Sequence, residues 1–304
     1  MAKTVVTTGK RFTDIDGLAC VIAYKEIPQE EPLAVIIGPL NDSVSASVRN
    51  WPLNYSTRPG PGILEYVVVD VSELNEFPKF VKKEKVVEIY DHHLGFEKTW
   101  QHLGEKAKIE AVGACATLIW EEFKKRKQQT ANSYQQITTV AANLLYTAIA
   151  SNTLNFQASV TTERDKKAFA ELAKFTNLPK DWIAKYYQEQ EVSVYANPIL
   201  AVSNDTKLSL VKGLRCAIGQ IELWDSKNFL KEYSAEIEVV LRSFDTEHWF
   251  LTSPSISEGR SYIYTKSEII KDFLRQVIPI DFFGTDVGVT KKLWLRKEIL
   301  AKIQ

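Results

Sequence analysis

Three acidic clusters in the first third of this 304-residue chain carry the residue types most able to do chemistry. Asp14 and Asp16 stand in TDID, Asp70 in VVVDVSE, and Asp91, His92 and His93 in YDHH. Two carboxylates flanking one residue can both reach toward a small ion. Adjacent histidines diverge, so one ring can bind a metal while the other faces a substrate. Carboxylates crowded together without compensation repel one another by kcal/mol amounts at close range. A divalent cation removes that repulsion, and a mixture of carboxylate and imidazole suits Mn, Fe, Co or Zn. Taken singly, a DxD pair more often reads as a solvated turn or a helix N-cap, and a lone Asp in a strand as a paired structural residue. Three clusters in equivalent positions read as a site.

The elements that must position them alternate short apolar runs with helical segments. Lys3 to Thr8, Leu33 to Gly38, Tyr66 to Val71 and Val86 to Tyr90 read as strands, and a helix begins near Gly17. Nearly continuous apolar strands separated by helices predict a parallel sheet covered on both faces. Each acidic cluster falls at or just after a strand's carboxyl end, where open α/β sheets bind ligands. From Ala114 the pattern turns helical, with segments over 117–123 and 137–150 and the polar QQTANSYQQ loop between them. Thr161 and Thr162 predict the N-cap of a further helix carrying Ala168, Leu172 and Phe175. The polar QEQEVSVYANP reads as a linker. Beyond it LSLVKG and LRCAIGQIEL predict a hairpin turning at Gly213, followed by helices over 229–244 and 267–277 interleaved with strands HWFLTS and SYIYT. GTDVG at 284–288 reads as a loop. The expected fold is a doubly wound α/β N-terminal domain over 1–190, a linker over 191–197, and a smaller α+β domain over 198–304.

Composition sets the outer limits. With 45% hydrophobic residues, global disorder is excluded. The 38 basic and 38 acidic residues sum to zero, which gives no global field for nucleic acid. No run approaches the roughly 18 apolar residues of a membrane helix, and MAKTVVTTGK lacks the apolar stretch of a signal peptide. The mature chain is therefore expected to start near Met1. Cys20, Cys115 and Cys216 are odd in number and scattered, which reads as reduced thiols in a cytoplasmic protein. The KKRK run at 124–127 reads as a solvated helix end.

TDIDG, VVVDVSE, YDHHLGFE and LLYTAIASNTLNFQASVTTERD resemble, in order, the motifs of the DHH phosphoesterase superfamily, and GACATLIWEEF resembles the small-residue motif that follows DHH. NDTKLSLVKGLRCAIGQIEL and LRKEILAKI resemble the C-terminal (DHHA2-like) domain of family II inorganic pyrophosphatases and related exopolyphosphatases. The resemblance implies a metal-dependent hydrolase cleaving a phosphoric anhydride or phosphoester in an interdomain cleft, with pyrophosphate or short polyphosphate the first substrate. It implies Mn as the ion, with Mg and Co as alternatives, and one or two ions bound. Asp14, Asp16, Asp70 and His92 would be metal ligands, Asp91 would orient an imidazole, and His93 would face the phosphate. Lys207, Arg296 and Lys297 would grip the outer phosphates. A homodimer is implied by resemblance alone, and the only nucleic acid expected is a short oligonucleotide as substrate. The enzymatic alternative is a phosphoesterase for nucleotides or short oligonucleotides.

Three positions depart from the family pattern. Lys10 stands where the family carries a His ligand, Asn152 where it carries a bridging Asp, and Leu295 precedes Arg296 and Lys297 where it carries Ser. Together the first two add two positive units, the charge of one divalent ion. The expectation is that the Lys10 ammonium takes one ion's place, leaving a single metal on Asp16, Asp70 and His92, with Asn152 adding a neutral oxygen; the alternative is that Lys10 points to solvent and Asn152 merely caps its helix. Such a chain could be a one-metal phosphoesterase or a catalytically weakened relative that binds a phosphorylated ligand.

Overall fold

A computed structural model describes residues 3–27, 32–62, 64–129 and 136–302. Most of the expected QQTANSYQQ loop lies outside them. The chain divides into two compact units, Met1–Ile183 and Ala184–Gln304.

In the first unit the strands are β1 (Lys3–Thr7), β2 (Leu33–Val35), β3 (Leu64–Val69), β4 (Val86–Asp91) and β5 (Ala107–Ile109). They form one sheet in the order β2-β1-β3-β4-β5, and every pairing is parallel. Buried apolar strands such as VVT in β1 and YVVV in β3 are what a sheet covered on both faces requires. The helices are α1 (Ile15–Tyr24), α2 (Ala46–Arg49), α3 (Glu97–Trp100), α4 (Cys115–Gln129), α5 (Thr139–Asn152) and α6 (Glu163–Leu172). All ten residues of α1 are buried, which fits a segment apolar around its whole circumference. Elsewhere Val5, Val68, Ile89, Phe77 and Trp100 form a second apolar layer. The order reverses between β1 and β3, and such a switch point opens a crevice at the strands' carboxyl ends. The short β5 was not read from the sequence, because three residues carry too little pattern.

The polar stretch 191–197 is not extended. Helix α7 runs Trp182–Ala196, and α8 (Pro198–Asn204) follows after one residue, with Asn197 as its N-cap. Polar residues were read as a break, but QEQEV has no helix breaker and Pro198 suits a first helical turn.

In the second unit β6 (Thr206–Val211) and β7 (Leu214–Gln220) make the expected hairpin, with Lys212 and Gly213 at positive φ. After α9 (Ser226–Arg242) come β8 (His248–Ser255), β9 (Arg260–Tyr264), α10 (Glu268–Val277), β10 (Ile280–Asp281), β11 (Val287–Thr290) and α11 (Arg296–Ala301). The sheet order is β10-β11-β9-β8-β7-β6, antiparallel except for β7 with β8. Apolar clusters centred on Phe229, Leu241 and Trp249 and on Phe250, Phe273 and Ile299 complete it. GTDVG is only half a loop, since Val287 and Gly288 pair with β9. Among the described residues no helix is long and apolar enough to cross a membrane.

Thr162 caps α6 in a reciprocal box with Asp165. The buried Asp165 carboxylate also accepts from the Gly113 amide at 2.8 Å and the Thr117 hydroxyl at 2.6 Å, so it fastens α6 to the start of α4. Asp165→Ala is expected to destabilise the protein by about 3 kcal/mol, the cost of a lost cap plus orphaned buried donors. Urea unfolding followed by circular dichroism measures it; a change below about 0.5 kcal/mol contradicts the assigned role.

Candidate functional site

The turn after β1 carries Asp14 and Asp16, and both start α1. Asp14 is its N-cap, with Oδ1 accepting from the Gly17 amide at 2.9 Å. Gly17 is needed for a second reason: a Cβ there would stand 2.9 Å from Thr8 Oγ1 and 3.3 Å from Asp70 Oδ2. Only a glycine lets Asp70 approach the first turn of α1.

Asp16 is fully buried and its oxygens are occupied. Oδ1 accepts from the Ala116 amide at 2.8 Å and from the Cys20 thiol at 3.5 Å. Oδ2 accepts from the Cys115 amide at 2.8 Å and from the Asn152 side-chain amide at 2.6 Å. The carboxylate thus closes the N-terminus of α4, where orphan N–H groups and the helix dipole favour a negative charge. Burial nevertheless raises its pKa, while His92 and the two backbone amides pull it down.

Asp70 follows β3 with φ 61°, a left-handed conformation that Asp tolerates better than most residues. Its Oδ1 is buried without a hydrogen-bond partner. Burial, then the charges of Asp14 and Asp16, push its pKa well above the usual carboxylate range. Across from it, His92 Nε2 lies 3.5 Å from Asp70 Oδ1 and 3.9 Å from Asp16 Oδ2. His92 Nδ1 faces the Val112 carbonyl at 3.3 Å. A carbonyl only accepts, so Nδ1 donates to it and Nε2 is the ring nitrogen turned toward the two carboxylates. A buried carboxylate oxygen without a hydrogen-bond partner and an imidazole nitrogen therefore face each other at 3.5 Å. A divalent cation fits this donor set: hard oxygen plus imidazole, with the second ring nitrogen anchored as metal-bound histidines need. One ligand atom from each of Asp70, His92 and His93 lies within 4.8 Å of the others.

Asp91 serves His93 rather than His92. Its Oδ1 accepts from the His93 amide at 3.0 Å and from Nδ1 at 2.8 Å. That hydrogen bond raises the His93 pKa against the effect of burial. For Asp91 itself burial acts upward, but the bond to and charge of His93 outweigh it, and the pKa is lowered. The His93 side chain is 64% exposed and lines a cavity of about 260 Å³ with Thr8, Arg11, Asp14, Asp70 and Glu76. Arg11, which the sequence reading did not single out, pairs with Glu76 at 2.8 Å on that wall.

Two expected roles change. Lys10 is exposed and its ammonium donates to the main-chain oxygen of Asn75, with no ion pair to the acidic cluster among the described residues. Its backbone amide likewise donates to the Glu76 carbonyl at 2.9 Å. Asn152 does meet the cluster, but through its N–H groups toward Asp16 rather than as an oxygen ligand. A carboxylate neighbour selects the donor face of the amide. The positive partner that balances Asp16 is a set of amides, a feature invisible in side-chain charges.

In the second unit Lys207, Arg296 and Lys297 come to one end of the sheet. Lys207 pairs in register with Ile218, whose carbonyl accepts from Arg296 Nη1 at 3.1 Å. Arg296 Nη2 also pairs with Asp205 at 2.8 Å, and the side chain is 12% exposed. Arg296 is consumed by its own unit, whereas Lys207 and Lys297 are exposed.

No family model matches the chain. It is similar to a probable manganese-dependent inorganic pyrophosphatase of Clostridium acetobutylicum, with 24% identity over 315 residues, covering 99% of this chain and 97% of that protein. A protein of the same description from Thermotoga maritima is 27% identical over 197 residues, which cover 61% of this chain and only 33% of that one. Among solved structures, a Methanococcus jannaschii protein assigned to the family II inorganic pyrophosphatases superposes with a TM-score of 0.64 at 19% identity, covering 99% of both chains. The fold is that of this structure, an α/β unit with a five-stranded parallel sheet beside a unit with a mixed sheet.

Because Asp91 supports the charged form of His93, Asp91→Asn is expected to lower the His93 pKa toward the ordinary histidine value of about 6.5. Nuclear magnetic resonance titration of metal-free protein reads this directly. An unmoved value would show that the Asp91 contact does not govern His93.

Proposed function

We propose that this protein is a divalent-cation-dependent hydrolase of phosphoric anhydrides, acting on pyrophosphate or short polyphosphate with manganese as its ion. The observation that carries the reading is the buried Asp70 Oδ1, without a hydrogen-bond partner, opposite His92 Nε2 at 3.5 Å and with a His93 ring nitrogen within 4.8 Å. Similarity to proteins described as manganese-dependent inorganic pyrophosphatases supports the choice of substrate and ion.

Asp70 and His92 would hold the ion, flanked by Asp14 and His93. When bound, such an ion polarises a phosphoryl oxygen and lowers the pKa of a water. The protein's own part begins with His93, whose Nδ1 is tied to Asp91 and whose raised pKa favours an imidazolium facing an anionic substrate. Arg11 lies on the same wall but is paired with Glu76, so its guanidinium would reach a phosphate only by sharing or leaving that carboxylate. Lys207 and Lys297 would take outer phosphates. Arg296 would act as a positioning residue, because its guanidinium already holds Asp205.

The donor count supports one ion rather than two. Four donors converge on the two oxygens of Asp16, and Asn152 adds an N–H where an ion would need an oxygen. Asp16 and Asn152 are assigned as positioning residues.

Metal analysis of Mn-loaded protein is expected to return one ion per chain, with phosphate released from pyrophosphate. Asp70→Asn should reduce turnover by roughly 100-fold or more, and Asn152→Asp should admit a second ion. Two ions in the unaltered protein would sink the single-ion count. No phosphate from pyrophosphate, tripolyphosphate or a dinucleotide, with Mn or Mg, would sink the hydrolase reading; a rise in Tm with pyrophosphate would then mark a phosphate-binding protein.

A further inference from the structure

The second unit contains a cavity of about 620 Å³ that takes no part in the chemistry above. Its floor is built by β9 and β11, where Tyr264 lies opposite Val287 and Tyr262 opposite Val289. Side chains two apart on a strand share a face; the two tyrosines are packed into the core of the unit and meet the cavity only by an edge, while Val287 and Val289 are half-buried. One wall is α9, through Lys227, Leu230 and Lys231 on one helical face before the break at Tyr233, and through Ser234 and Glu238 after it. At the rim stands Phe283, 75% exposed and held at φ 46° in the turn between β10 and β11. A large aromatic side chain so exposed beside an apolar hollow is unusual on a surface.

The charges around the hollow do not cancel. Glu238 is neutralised by Lys266 at 2.6 Å and Arg242 at 2.9 Å, and Asp286 by Lys271 at 2.8 Å. Lys227 and Lys231, four residues apart, make no ion pair among the described residues. Like charges at that spacing oppose helix formation, and an anion between them relieves the repulsion. Volume, aromatic surface and paired free ammonium groups together match a small ligand with a flat ring at one end and a phosphate at the other.

We propose that this cavity binds a nucleotide, its base between Phe283 and the apolar floor of Val287 and Val289 and its phosphate between Lys227 and Lys231. The site lies within one unit, and its residues are separate from those assigned to the hydrolytic centre.

Calorimetric titration of the full chain with adenosine monophosphate, adenosine and inorganic phosphate tests it. The monophosphate is expected to bind at least about tenfold tighter than either part alone. Lys227→Ala with Lys231→Ala, and separately Phe283→Ala, should each weaken it by about tenfold or more, leaving Tm and phosphate release from pyrophosphate unchanged. Absence of binding overturns the proposal. So does binding that the variants leave intact, which would place the nucleotide elsewhere, or adenosine binding as tightly as its monophosphate. None of these outcomes depends on whether pyrophosphate is hydrolysed.

Discussion

The organisation of the first unit rests on one buried carboxylate. Asp16 starts α1, but its oxygens bind the first amides of α4, a thiol in α1 and the amide that ends α5. Removing it would strand two helix N–H groups in a dry interior, a penalty of about 1–3 kcal/mol for each orphaned donor. Asp165 works in parallel from α6 through Gly113 and Thr117, so 113–117 is clamped from two sides. A Cβ on Gly113 would come within 2.5 Å of Thr153 Cγ2, so that clamp closes only over a glycine. The carbonyl that fixes the His92 tautomer belongs to Val112, one residue before the clamp. The orientation of an imidazole at the end of β4 is therefore set by carboxylates from α1 and α6.

The two halves of the acidic cluster are balanced differently. Asp91 meets an imidazole at 2.8 Å and is easily ionised. Asp70 sits near Asp14 and Asp16, without a donor on Oδ1, and resists ionisation. Environments that push neighbouring carboxylates in opposite directions mark the parts of a site with different tasks. In the second unit Asp205 absorbs Arg296, so of the three basic residues Lys207, Arg296 and Lys297 the two left exposed are lysines.

Much of this was legible in the sequence because strand ends announce themselves. Apolar runs such as VVVD and VVEIYD stop at the residues that matter, and a parallel sheet carries those stops to one edge. The roles of individual residues were less legible where the deciding partner is backbone. Nothing in the side-chain pattern shows that the amides of Cys115 and Ala116 point at Asp16, so charge counting assigned that compensation to Lys10. Asn152 was recognised as unusual, yet its identity alone does not say whether its oxygen or its nitrogen faces inward; Asp16 decides that. The helix through 191–196 was missed because polarity was taken for irregularity, although none of those residues breaks a helix.

The left-handed backbone at Asp70 has an evolutionary consequence. Besides Asp, the residues most at ease at that φ are Gly and Asn. Both remove a charge from a place where burial and two neighbouring carboxylates oppose it, so neither meets resistance from the fold. At this position burial and like charge oppose an ionised carboxylate, so stability by itself does not favour Asp over Asn. A sequence drifting under relaxed selection would lose Asp70 early and still fold, which makes residue 70 the place to look when asking whether a relative of this chain is still used for its chemistry.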